Sequence, residues 1–133
     1  MMQRYAREQT STLLRRLSFR MNRAAKLRDV DSIHDLRVAI RRFEQCLDIF
    51  HQFLPGGHKK IRRRLRKIME LSGEIRNRDI ALDLLKQAGL PARSALTIRL
   101  LRERREMQSK LLASFDRWGD RDLSRKWRSR LGL

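Results

Sequence analysis

The stretch that decides the fold of this chain lies at residues 32–50 and reads SIHDLRVAIRRFEQCLDIF. Its apolar residues recur at intervals of three and four, which is the spacing that lines one face of an α-helix. Ser32 and Asp35 open the stretch in the pattern of a capping box, and Leu54-Pro55-Gly56-Gly57 follows as a stop signal. We therefore expect an amphipathic helix that begins at Ser32. Its buried face consists of Ile33, Leu36, Ile40, Phe43, Leu47 and Phe50.

The segments on either side of this helix have the same helical character. Leu, Arg, Ala, Glu and Met are frequent throughout, and the only two prolines stand near glycines in short breaks. A first helix is expected from Gln3 to Lys26, a third that ends at Gly89 and a fourth that opens at Pro91. Short connections between long helices predict an all-α fold. We expect an antiparallel four-helix bundle with a short C-terminal tail helix, in a single domain over residues 1–133.

The apolar positions of the other helices complete the expected core. The first helix contributes Ala6, Leu13, Leu14, Leu17, Met21 and Ala24, and the third contributes Ile61, Leu65, Ile68, Ile75, Leu82 and Leu85. The fourth contributes Leu96, Leu100, Met107, Leu111, Phe115 and Trp118, and the tail carries Leu123, Trp127 and Leu131. Ser72-Gly73 interrupts the third helix, which indicates either a weak point or the close approach of another backbone.

Charge is the strongest compositional signal. The chain has 33 Lys and Arg residues against 15 Asp and Glu, a formal net charge of +18, and most of the cations are arginine. Such an excess opposes compaction by self-repulsion and favours a polyanionic partner; a basic protein whose charge aids only solubility is the alternative. Arginine suits phosphate oxygens because its planar guanidinium donates two hydrogen bonds at once.

Two basic rows lie opposite the apolar faces of the second and third helices. Seven of the nine residues from Lys59 to Lys67 are basic, and no acidic residue is expected to neutralise that face. Because consecutive helices pack side by side, we expect the two rows to merge into one anion-binding trough. A solvated outer face is the alternative for either row alone. The candidate phosphate ligands are His34, Arg37, Arg41, Arg42, Lys59, Arg62, Arg63 and Arg66.

His34 is expected in the first turn of its helix, near free backbone amides. A neutral imidazole there can donate a hydrogen bond to phosphate, and the positive end of the helix dipole favours the same anion. A capping or packing histidine is the alternative.

No grouping of residues indicates catalysis. The chain lacks a nucleophile with an oriented base, metal-ligand spacing and a glycine-rich phosphate loop. Cys46 is the only cysteine, so an intrachain disulfide is excluded and a buried thiol is expected. No apolar run reaches the length of a membrane span, and the N-terminus lacks a signal-peptide core. We expect a cytoplasmic, non-enzymatic binding protein that needs no metal, cofactor or membrane.

Two stretches resemble the signature motifs of the CHAD family, the conserved histidine α-helical domain. Residues 34–43, HDLRVAIRRF, are similar to the first motif, and residues 72–80, SGEIRNRDI, are similar to a later one. The resemblance implies an all-helical domain that binds inorganic polyphosphate, and it makes polyphosphate granules a candidate location. Arg76, in the later motif, is a further candidate site residue, and we expect an i, i+3 ion pair with Asp79 to hold it toward the groove. The positions that match the first motif are His34, Arg37, Arg41 and Arg42.

The chain departs from that family in several respects. Glu44 stands where an arginine is usual and is expected near Arg37, and Asn77 and Arg78 replace the usual aspartate and apolar residue. A CHAD domain is typically built from two similar four-helix halves, and this chain has the length of one. We therefore interpret it as a half-domain and expect a homodimer. The apolar stripe of the tail helix is a candidate contact between copies, and docking onto its own bundle is the alternative.

Two other functions remain open from the residues alone. A row of arginines also binds the phosphates of nucleic acids, so a structured-RNA or ribosome-associated protein is one alternative, with nucleic acid as a non-specific competitor for the same face. Aromatic residues make up only 6% of the chain and fall mainly on apolar faces, which argues against single-strand binding by stacking. A scaffold whose basic faces dock an acidic protein is the other alternative.

Overall fold

The computed structural model describes residues 1–56, 58–116 and 122–133, without the side chains of residues 122–124. Within these residues the chain forms five α-helices and a short 3-10 helix at His51–Phe53, and no strand. The α-helices are α1 (Met2–Leu27), α2 (Val30–Phe50), α3 (His58–Gln87), α4 (Ala95–Asp116) and α5 (Asp122–Leu131). The predicted all-α fold class is confirmed.

The helices pack as two hairpins, α1 with α2 and α3 with α4, and the contact between α2 and α3 joins them. The predicted face of α2 is confirmed, because every member from Ile33 to Leu47 is buried and only Phe50 is partly exposed. The inner face of α1 agrees as well, with Leu13 only partly buried, and so does that of α3 from Ile61 to Ile75. The core shared by α1, α2 and α3 includes Leu14, Leu17, Met21, Leu36, Ile40, Phe43, Ile61, Leu65, Ile68 and Ile75.

The start of α2 corrects the predicted capping box. The cap is Asp29, whose carboxylate accepts the backbone N–H of Ser32 at 2.8 Å, so α2 begins at Val30 rather than at Ser32. The hydroxyl of Ser32 donates to the Asp29 carbonyl at 3.1 Å. Asp35 therefore plays no capping part and instead pairs with Arg20 on α1 at 3.3 Å. Aspartate and serine are equally good capping residues, because either side chain can accept a hydrogen bond from a first-turn amide. In this chain Asp29 takes that role, one turn before Ser32.

The helix α4 begins at Ala95, later than the predicted start at Pro91. Ser94 caps α4 by accepting the backbone N–H of Thr97 at 3.2 Å, and Pro91 lies in the preceding turn. At the other end of the bundle, α2 ends at Phe50 and the 3-10 helix carries the chain to Pro55.

The α3–α4 hairpin extends beyond α1 and α2. Arg104 Nη2 and Gln108 Nε2 both donate to the carbonyl of Arg28 at 3.0 Å, which places the turn between α1 and α2 at the level of these residues. The part of α4 before Arg104 projects about 13 Å further, at 1.5 Å per residue. Leu82 and Leu85 are therefore only partly buried and Leu96 is exposed, contrary to the prediction. The large exposed apolar residues of the hairpin are Ile80, Leu84, Leu90, Leu96, Ile98 and Leu101.

The tail helix α5 docks onto the bundle of its own chain. Trp127 and Leu131 are 0% exposed, and the Trp127 ring stacks on Phe43 with ring centroids 6.1 Å apart. Arg128 Nη1 donates to Ser11 Oγ on α1 at 2.9 Å. The apolar stripe of the tail helix thus packs on the bundle of its own chain, which was the alternative to a contact between copies. Because Trp127 and Leu131 are buried there, they are not available to a second copy. The predicted core positions Trp118 and the Leu123 side chain lie outside the described residues.

Candidate anion-binding site

Arg37 on α2 is held against the middle of α3. Its Nη1 atom donates to the Met69 carbonyl at 2.7 Å and to Ser72 Oγ at 3.0 Å. A Cβ atom built on Gly73 would lie 3.0 Å from the same Nη1 atom, so the guanidinium occupies the space that glycine leaves. Ser72-Gly73 therefore marks a close approach between helices, which is one of the two predicted alternatives. The group that approaches is the side chain of Arg37 and not a backbone.

Two further arginines, Arg41 on α2 and Arg76 on α3, lie near enough to Arg37 for their charges to act on it. The pKa of Arg37 is lowered, first by burial and then by the positive charges of Arg41 on α2 and Arg76 on α3. Within the described residues, none of the three forms an ion pair with a carboxylate. Like charges near one another without a counter-ion raise the free energy of the folded state, and a bound anion would offset that cost. We call Arg37, Arg41 and Arg76 the arginine cluster.

The other end of the α2–α3 groove carries acidic residues. Arg62 Nη2 lies 2.7 Å from Asp48 Oδ1 on α2, so the prediction that the basic face of α3 has no acidic partner is wrong for Arg62. Burial raises the pKa of Glu44, while the positive charges of Arg62 and Arg66 act in the opposite direction. Glu44 thus faces the two α3 arginines rather than Arg37, and this end of the groove is partly neutralised.

The remaining predicted site residues lie in separate places. His34 and Arg42 line a second groove between α1 and α2, with a volume of about 880 Å³. Lys59 lines a cavity of about 440 Å³ near the start of α3, together with Arg130 of α5. Arg63 and Arg66 are exposed on α3. The nine candidates therefore do not form one continuous trough, because α2 presents its basic residues to neighbours on both sides.

His34 does not lie where the sequence predicted. Because α2 begins at Val30, His34 is in the second turn, beyond the free amides of the helix N-terminus. The imidazole is exposed on the rim of the α1–α2 groove. The expected hydrogen bond from the helix N-terminus to an anion beside His34 is therefore not supported.

Three arginines that sequence reasoning missed lie on α1. Arg15, Arg16 and Arg20 line the α1–α2 groove opposite His34 and Arg42. Arg15 and Arg16 are exposed, and Arg20 faces α2, where it pairs with Asp35. The three arginines within residues 15–20 are the sequence signal that could have identified them.

The expected ion pair between Arg76 and Asp79 is absent from the described structure. The Asp79 carboxylate, with its side chain only 6% exposed, instead pairs with Arg104 on α4. The neighbouring Arg78 pairs with Glu74 and, at 3.1 Å, with Glu103 of α4. Arg78 and Asp79 of the later motif thus form ion pairs between α3 and α4. Arg76 takes no part in these pairs and belongs to the arginine cluster.

The described residues include a core thiol but no arrangement of metal ligands. No group of three or more His, Cys, Asp and Glu side chains there is arranged to hold a metal ion. The thiol of Cys46 is buried beside Thr10 at 3.3 Å, and burial raises its pKa, as expected for a core cysteine. None of the described helices combines the length and apolarity that a bilayer crossing requires.

Comparison with known protein families matches residues 5–132 to the CHAD domain. The matched range covers nearly the whole chain and contains both motifs, at residues 34–43 and 72–80. No curated protein and no solved structure gives a significant match.

Proposed function

The chain belongs to the CHAD domain family, and on this premise we propose that it binds inorganic polyphosphate in the groove between α2 and α3. The observation that carries the proposal is Arg37, whose guanidinium is fixed against α3 by Met69 and Ser72. The positive charges of Arg41 and Arg76 act on it, and none of the three arginines pairs with a carboxylate among the described residues. A linear polyanion supplies closely spaced phosphate oxygens that can accept from several guanidinium groups at once.

One member of the cluster, Arg37, is held in place before a ligand binds. Arg37 is anchored to α3 through Met69 and Ser72, so its remaining N–H groups are oriented before a ligand arrives. Such pre-organisation reduces the side-chain entropy that binding would otherwise cost. Arg41 and Arg76 flank this anchor from the two helices, and Arg63 adds exposed positive charge on α3.

The groove favours a ligand without bases. Met69, Ser72 and Gly73 are the described contacts of Arg37, and an aromatic platform of the kind on which single-stranded nucleic acid stacks is not among them. We propose a non-catalytic role, in which nucleic acid acts as a non-specific competitor for the same charges.

Binding can be tested on the full chain with labelled polyphosphate at one fixed salt concentration. Replacing both Arg41 and Arg76 by alanine should weaken binding by about tenfold or more, since each tenfold step corresponds to about 1.4 kcal/mol. Arg102→Ala is the matched control, because Arg102 is exposed and lies on α4, a helix that makes no contact with α2 among the described residues. Wild-type affinity in the double variant would overturn the proposal.

We also propose that two copies associate through the projecting α3–α4 hairpin. The hairpin carries six large exposed apolar side chains, whereas residues 80–101 contain only three basic residues and one acidic residue. In a chain with a net charge of +18, this weakly charged segment is where two copies can approach with little repulsion. A two-fold axis would place the same apolar residues against themselves.

A further inference from the structure

The groove between α1 and α2 differs in character from the groove that holds the arginine cluster. It has a volume of about 880 Å³, within the range of small-molecule sites. Apolar side chains, including Leu13, Val38 and Ala39, line it together with basic ones. An exposed phenylalanine, Phe19, stands among these lining residues with 56% of its surface accessible. A purely inorganic polyanion gives no reason for the aromatic ring.

One end of the groove is aromatic and electrically compensated. The guanidinium of Arg20 lies over the Phe19 ring, 5.4 Å from its centroid, and the same guanidinium pairs with Asp35 of α2 at 3.3 Å. A cation–π contact and an ion pair thus hold Arg20 in place beside the ring. This end offers flat surfaces for stacking and little net charge.

The rest of the groove lining is cationic and uncompensated. Arg15 and Arg16 lie one turn before Phe19 on α1, Arg42 lies two turns beyond Asp35 on α2, and none of the three forms an ion pair within the described residues. Arg42 lies seven residues beyond Asp35 on α2, which is about 10 Å along the helix axis. A short chain of phosphates could lie against these three guanidinium groups while an attached ring system reached Phe19.

We propose that the α1–α2 groove binds a nucleoside polyphosphate, with the base stacked at Phe19 and the phosphates held by Arg15, Arg16 and Arg42. The base is the part of the ligand that distinguishes this site from the polyphosphate groove. Base–aromatic stacking is tolerant of base identity, so the site should accept purine and pyrimidine nucleotides.

The test compares ATP with inorganic tripolyphosphate, each titrated into the full chain at the same salt concentration. Phe19→Ala should weaken ATP binding by about 5- to 150-fold, the range expected for the loss of one base–aromatic stack. Phe19→Ala should leave the affinity for tripolyphosphate within about twofold of the wild-type value. Phe19→Trp, which keeps an aromatic ring, should bind ATP as the wild type does. Tyr5→Ala is the matched control, because Tyr5 is 51% exposed on the same helix and lies outside the groove.

Two results would overturn the inference. The first is an equal loss of affinity for ATP and tripolyphosphate in Phe19→Ala, or no loss for ATP. The second is a loss of ATP affinity in Arg76→Ala, which would place the nucleotide in the α2–α3 groove. Failure of polyphosphate binding in the arginine cluster would leave the Phe19 result unaffected, so this inference and the proposed function can fail separately.

Discussion

The guanidinium of Arg37 occupies the space where Gly73 has no side chain, since a Cβ atom on Gly73 would lie 3.0 Å from Arg37 Nη1. This relationship joins the two sequence motifs, because Arg37 belongs to the first and Gly73 to the second. Arg37 is thereby both a contact between α2 and α3 and a member of the arginine cluster.

Gly73→Ala should separate these two roles. The added methyl displaces the guanidinium by a few tenths of an ångström, while alanine gains about 1 kcal/mol of helix propensity over glycine. We expect the free energy of unfolding to change by less than about 1 kcal/mol, and polyphosphate affinity to fall by about three- to tenfold. Urea unfolding and polyphosphate titration measure the two effects. Gly56→Ala is the control, because a Cβ atom there meets nothing within 4 Å; unchanged affinity in Gly73→Ala would show that Arg37 does not touch the ligand.

Arg104 should matter for stability rather than for binding. Its guanidinium pairs with the buried carboxylate of Asp79 and also donates to the Arg28 carbonyl. Arg104→Ala leaves a buried carboxylate without its cation, so we expect a loss of about 3–5 kcal/mol in the free energy of unfolding. Arg99→Ala removes an exposed pair with Glu103 and should cost less than about 1 kcal/mol. Equal effects of the two substitutions on the urea midpoint would contradict this role.

Glu44 should make polyphosphate binding depend on pH. Burial raises its pKa above the ordinary value of 4.5, so the folded protein takes up a proton at Glu44 more readily than the unfolded chain does. As pH falls toward that raised pKa, the folded state gains stability and the negative charge beside Arg62 and Arg66 is lost. Affinity should therefore rise more between pH 7 and pH 5 in the wild type than in Glu44→Gln.

At pH 7, Glu44→Gln should bind polyphosphate up to about fivefold more tightly than the wild type, since it removes one partly exposed negative charge. Glu8→Gln, which removes an exposed carboxylate on α1, is the control. Weaker binding by Glu44→Gln would show that this end of the groove lies away from the ligand.

The helices and their inner faces could be predicted from sequence because the three-and-four spacing of apolar residues is a local property. The helix starts were less predictable, because Asp29 and Ser32 are both good capping residues and only the structure distinguishes them. The partner of Asp79 could not be found locally, since Arg104 is 25 residues away and reaches it through the packing of α4 on α3. His34 lies in the α1–α2 groove, and Arg37 lies in the α2–α3 groove. The sequence could not show this difference, because it depends on which helix packs on each side of α2.

Self-association through the hairpin can be checked by sedimentation. We expect a concentration-dependent dimer that strengthens as salt or polyphosphate screens the net charge. Leu84→Glu places a charge at an exposed apolar site and should return the chain to monomer without changing its unfolding. The matched control is Glu70→Gln, an exposed change on α3 outside the hairpin tip. A chain that stays monomeric at high concentration with polyphosphate bound, or a dimer unaffected by Leu84→Glu, would contradict this interface.

The central claim is that the arginine cluster recognises polyphosphate rather than negative charge in general. The most direct measurement is competition on the full chain at a fixed salt concentration, in which duplex RNA or unlabelled polyphosphate of equal total charge displaces labelled polyphosphate. We expect unlabelled polyphosphate to displace the label at least tenfold more effectively than duplex RNA does, and we expect this preference to fall in the Arg41→Ala, Arg76→Ala double variant. Equal displacement by duplex RNA would contradict the claim and favour a general nucleic-acid-binding surface.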